Sequence, residues 1–132
     1  MSRILFIIIV SLLSVGCTME MEQTKPPLDV SKLNMGLESQ IAFQKSEEIY
    51  QQAVEQGLDL SNGPCLSNAL HGNADYPETM WVFDIVHEPR QEIDNQPENQ
   101  CSAFREGKAK NYIEFSLEGE LIEVYSPLLS NK

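Results

Sequence analysis

The chain has 132 residues, enough for one small domain and a targeting segment but not for two domains of ordinary size. Its 20 Asp and Glu outnumber its 9 Lys and Arg, for a formal net charge of −11. So acidic a surface repels phosphate backbones, which argues against nucleic acid as a partner, and it disfavours direct docking on anionic lipid.

Ser2 and Arg3 give a short basic start, and residues 4–10 are an unbroken apolar run that Leu12 and Leu13 extend. Small residues then lead to Gly16 and Cys17. These are the three parts of a secretory signal peptide. The apolar run is shorter than the roughly 20 residues a membrane-spanning helix needs. Leu12, Leu13, Ser14, Val15, Gly16 and Cys17 together resemble the lipobox of prokaryotic lipoproteins. The resemblance covers residues 1–17, with Ser14 where leucine is usual and Leu13 one place early. It implies a signal peptide over residues 1–16, cleavage before Cys17 and a diacylglycerol on the Cys17 thiol. Two acyl chains suffice for stable anchoring, since each buried methylene contributes about 0.8 kcal/mol. The bilayer is then a partner through the N-terminal lipid, with the rest of the chain on the extracytoplasmic side of a cell membrane or outer membrane.

With Cys17 assigned to the lipid, Cys65 and Cys101 remain as an even pair in a chain bound for an oxidising compartment. That arithmetic predicts a disulfide, with two free buried thiols as the alternative. Residues 17–30 read as the lipidated tether, polar and extended at Pro26 and Pro27, and residues 31–132 as a single domain.

The first element of that domain is an amphipathic helix over residues 33–56. Ser31 or Asn34 can cap it, and Leu37, Ile41, Ile49 and Ala53 share a face, with Ala42, Ser46, Tyr50 and Val54 beside them. Gly57 sits where a left-handed C-cap is wanted, with Leu58 placed to fold back on the last turn. Residues 59–64 are a turn, residues 65–70 a short strand, and residues 72–77 another turn cluster.

Residues 79–87 form the strongest strand. Trp81, Phe83, Ile85 and His87 fall on one face, and Met80, Val82, Asp84 and Val86 on the other. Both faces are apolar, so the strand is central and covered on both sides, and Asp84 needs a partner there. Residues 88–110 are a long polar connection that Cys101 pins near its middle. Residues 111–117 and 120–125 make a hairpin about Glu118 and Gly119, pairing Phe115 with Ile122 and Ile113 with Val124. Glu114 and Glu123 then oppose each other on an outer face, expected to be solvated, with contact to a cation or a basic partner as the alternative.

The densest polar group in the sequence is Asp84, His87, Glu88 and Arg90, followed by Asp94, where the central strand runs into the long loop. Asp84, His87, Arg90 and Asp94 are therefore the candidate binding residues. Three uses compete. His87, held by a nearby acid, would act as a base or metal ligand. Arg90 would pair with Asp84, Asp94 or Glu92 and fasten the loop. His87, Arg90 and the loop would present a recognition surface to a protein or small molecule. No nucleophile motif and no histidine–carboxylate metal spacing accompany them, so no catalytic residue, metal or cofactor is assigned.

The expected fold is α+β, with one long amphipathic helix on a small antiparallel sheet of about four strands. The element order resembles the helix-on-sheet layout of cystatin-like and propeptide-type domains, and order alone carries no function. The expected role is a non-enzymatic binding or accessory domain tethered at the cell envelope. The alternatives are a small hydrolase or metal-binding domain using Asp84 and His87, and a structural envelope component.

Overall fold

The computed structural model describes residues 36–129. The lipobox-like segment, Cys17 and the tether lie outside the described residues, as do both expected N-caps, Ser31 and Asn34. One long helix packs on a four-stranded mixed sheet, an α+β fold.

Helix α1 spans Leu37–Glu55. It ends as the sequence predicts. Gly57 adopts φ +68°, the Leu58 N–H donates to Ala53 O at 2.9 Å, and the Gly57 N–H donates to Val54 O at 3.0 Å. These two bonds satisfy the last carbonyls in a Schellman motif. The buried stripe is Ser39, Ala42, Phe43, Ser46 and Ala53. It is turned relative to the predicted face, leaving Leu37 69% and Val54 50% exposed. Phe43 takes the central place, its ring 5.7 Å from Phe115.

Strands β1 (Cys65–His71), β2 (Trp81–Ile85), β3 (Asn111–Phe115) and β4 (Leu121–Tyr125) lie side by side in that order. The β1–β2 and β3–β4 ladders are antiparallel, whereas the central β2–β3 ladder is parallel. That ladder aligns Trp81 with Asn111, Phe83 with Ile113, and Asp84 with Glu114. A parallel pair needs a long crossover. The polar connection after β2 serves as that crossover, containing a turn of 3₁₀ helix at Glu92–Asn95 and a short helix α2 at Ser102–Arg105.

The two faces of the sheet are covered by different parts of the chain. Trp81, Phe83, Ile85, Ile113 and Phe115 face α1 and form the main core with Ala42, Phe43 and Leu70. On the opposite face, Met80 and Val82 pack with Cys101 and Ala109 from the crossover. All five residues of β2 are buried, as a central strand requires. The Cys65–Cys101 disulfide joins β1 to the crossover and closes a separation of 36 residues.

The hairpin differs in register near its turn. Ile113 pairs with Val124 and Glu114 with Glu123, but Phe115 pairs with Leu121 rather than Ile122. The cause is a wider connection held by Ser116. Its N–H donates to Glu120 O at 2.8 Å, and its hydroxyl accepts from the N–H groups of Glu118 and Glu120. Gly119 has φ +84° and lies against the Tyr50 ring, whose hydroxyl donates to Leu117 O.

Candidate functional site

Alternation along β2 and β3 turns Val82, Asp84, Tyr112 and Glu114 to the face away from α1. Arg90, Gln100, Phe104 and Arg105 reach over that face from the crossover. Together they line a cavity of about 440 Å³, with the Cys101 end of the disulfide in its wall. That volume suits a small organic ligand.

Two carboxyls form the polar part of the floor, side by side across the parallel ladder. Asp84 is 7% exposed and Glu114 6%. Arg90 bonds the second of them, with Nη1 2.8 Å from Glu114 Oε1, while its Nε donates to Asn95 Oδ1 at 3.1 Å. Burial nevertheless raises Glu114 above the usual carboxylate range. Asp84 has no such bond, and its Oδ1 is buried without a hydrogen-bond partner. Burial, and then the neighbouring Glu114 charge, push Asp84 up to about 8, so at neutral pH it is mostly a carboxylic acid.

Aromatic rings close one side. The Phe104 ring meets Tyr112 edge-on at 5.1 Å, and Tyr112 stacks on Tyr125 at 5.0 Å. Burial, with a hydrogen bond and the charge of Glu123, raises the Tyr112 phenol and keeps it protonated. Arg105 makes no ion pair among the described residues.

The four residues singled out by sequence divide into two pairs of places. Asp84 and Arg90 both line the cavity. His87 and Asp94 instead face each other, with His87 Nδ1 2.8 Å from Asp94 Oδ1. Asp94 is fully buried and also accepts from the N–H groups of Gln91 (2.7 Å) and His87 (3.2 Å). Although burial pushes the Asp94 carboxyl up, these bonds outweigh it and hold the group below its usual range. This is a latch that shapes the start of the crossover. His87 is therefore engaged by Asp94 rather than joined to Asp84, and Arg90 takes Glu114, not Asp84, Asp94 or Glu92, as its ion-pair partner.

Glu114 is the main correction. The sequence favours a solvated outer face for it, with a basic partner as the alternative; it is buried because the crossover folds over that face, and Arg90 is its basic partner. Tyr112, Phe104, Arg105 and Gln100 were also missed. The available signal was indirect: a long connection pinned by Cys101 has to pack somewhere, and one sheet face was left without cover.

Among the described residues, no three His, Cys, Asp or Glu side chains are grouped so as to hold a metal ion, and no helix is long and apolar enough to cross a membrane. Comparison with protein families, curated proteins and solved structures finds no match to this chain.

Proposed function

We propose that this protein is exported, lipidated on Cys17, and displays its α+β domain at the cell envelope as a non-enzymatic ligand-binding module. The ligand occupies the cavity between the sheet and the crossover. One observation carries the binding role: Asp84 lines that cavity while its buried Oδ1 lacks a partner. A buried polar atom left unpaired costs about 1–3 kcal/mol. Such a deficit is tolerated where a bound molecule makes it good. The anchor is supported by the lipobox-like run ending at Cys17 and by a disulfide suited to an oxidising compartment.

Two measurements test the reading. Native protein should partition into the detergent-rich phase, and mass spectrometry should find Cys17 as a diacylated N-terminus. Recovery in the aqueous phase with residue 17 unmodified removes the anchor. A fragment screen by NMR on the mature protein in detergent micelles should shift the amide signals of Val82 and Tyr112. A library that leaves both unmoved removes the binding role.

A further inference from the structure

Within the cavity, Arg90 and Glu114 satisfy each other. Two charged or chargeable groups are left over. Asp84 is more than nine-tenths buried and offers an oxygen with no donor, and the exposed Arg105, whose charge reaches the neighbouring Glu106, makes no ion pair within 4.0 Å among the described residues. They are of opposite type and line the same space. An amine alone would pair with Asp84 and not with Arg105, and a carboxylate alone would pair with Arg105 without drawing the proton from Asp84. The two aromatic rings of Phe104 and Tyr112 supply an apolar wall for the rest of the molecule.

We propose that the cavity binds a small zwitterion of the free amino acid class, with its ammonium on Asp84 and its carboxylate on Arg105. The ammonium supplies the hydrogen bond that Asp84 Oδ1 lacks. The planar guanidinium fork of Arg105 takes the carboxylate in a bidentate manner. An apolar side chain lies against Phe104 and Tyr112. Charge balance suits this class: once the ligand has displaced the Asp84 proton, the two carboxylates and two guanidiniums of the cavity sum to zero, and a net-neutral ligand leaves them so.

The geometry also specifies a proton. Around Asp84 stand Glu114 from β3 and Arg90 and Asp94 from the crossover, while Arg105 from α2 and the neutral Tyr112 line the same cavity. In the empty cavity near pH 7 the Asp84 carboxyl keeps its proton. An ammonium docking there favours the carboxylate, so that proton leaves to solvent as the ligand binds.

The inference rests on the binding role proposed above, and the test separates the two. Calorimetry on the mature protein in detergent micelles compares L-phenylalanine with its two halves, phenethylamine and 3-phenylpropionate, and with the other common amino acids. An apolar amino acid should bind at least tenfold more tightly than its halves. Across buffers of different ionisation enthalpy at pH 7, binding should release up to one proton. Asp84→Asn should abolish that release and weaken binding tenfold or more. Arg105→Gln, on an exposed position where folding is not at risk, should bring phenylalanine down to the level of phenethylamine and leave phenethylamine unchanged. Equal binding of the amine alone, no proton release, or no binding by any amino acid overturns the zwitterion. In that event, Val82 and Tyr112 signals that still shift with another class of fragment keep the binding role, and signals that never shift remove both.

Discussion

Asp84 and Glu114 sit directly opposite each other on neighbouring parallel strands, and only Glu114 is neutralised, by Arg90. Two buried carboxyls in register would repel if both were ionised. The strands place them there regardless, and Asp84 responds by keeping its proton. The electrostatic character of this face follows from that asymmetry.

Stability should therefore fall as pH rises. The Asp84 pKa is raised to about 8 in the folded chain. The folded state thus holds a proton that the unfolded state gives up near pH 4. Stability from this group is fully present below that value and is lost as pH rises through about 8. The whole change is on the order of 5 kcal/mol. Asp84→Asn keeps the shape and cannot ionise, so its urea midpoint should differ much less between pH 5 and pH 9. Parallel pH profiles for the two proteins would contradict the assignment.

Removing Arg90 should hurt through the partner it leaves behind. Arg90→Met strands Glu114 in a buried position without its cation. Because the Arg90 side chain is 42% exposed, solvent screens part of the loss, and the expected cost is about 1–2 kcal/mol. It should shrink as pH falls, because burial already raises the Glu114 carboxyl and a protonated Glu114 needs no cation. Adding Glu114→Gln should recover part of the cost, and a double-mutant cycle in urea would read the coupling. Additive single effects would show that the two side chains do not interact.

The disulfide closes a separation of 36 residues across the covered face. Cys65→Ser with Cys101→Ser should lower stability by about 3–4 kcal/mol in the chain-entropy picture. Reductant should lower the thermal midpoint of the unmutated protein in the same way. Two titratable thiols in the denatured, unreduced protein would argue against the bond.

Gly119 and Gly57 offer a paired control. Both have positive φ, but a Cβ at Gly119 would lie 2.4 Å from the Tyr50 ring, whereas one at Gly57 meets nothing within 4 Å. Gly57→Ala should cost about 1 kcal/mol from backbone strain alone. Gly119→Ala should cost about 2–4 kcal/mol, because strain and overpacking add. Equal thermal shifts would mean that Tyr50 does not pack closely on the hairpin.

Most of the elements were readable because each depends on local pattern. The helix end at Gly57, the two-faced burial of β2 and the Ile113–Val124 pairing all follow from spacing and turn chemistry. The disulfide followed from cysteine arithmetic. The parallel β2–β3 ladder was not readable, because strand direction depends on where a long crossover returns. The site suffered from the same blind spot. Asp84 and Arg90 stood out in one short stretch of sequence, but Glu114 joins them only through that ladder. Without it, Glu114 read as a hairpin carboxylate facing water. For His87, alternation along the strand already separates it from Asp84, but which nearby acid holds it was not readable; the fold of the crossover brings Asp94 to it.

The covalent bond between β1 and the crossover has a further consequence. The floor of the cavity comes from the sheet, but its roof comes from a segment with only a short helix of its own, tied down at Cys101. Under reducing conditions the floor would carry a loosely fitted roof. On the export and binding roles proposed above, ligand capture would begin only once oxidation draws the two together.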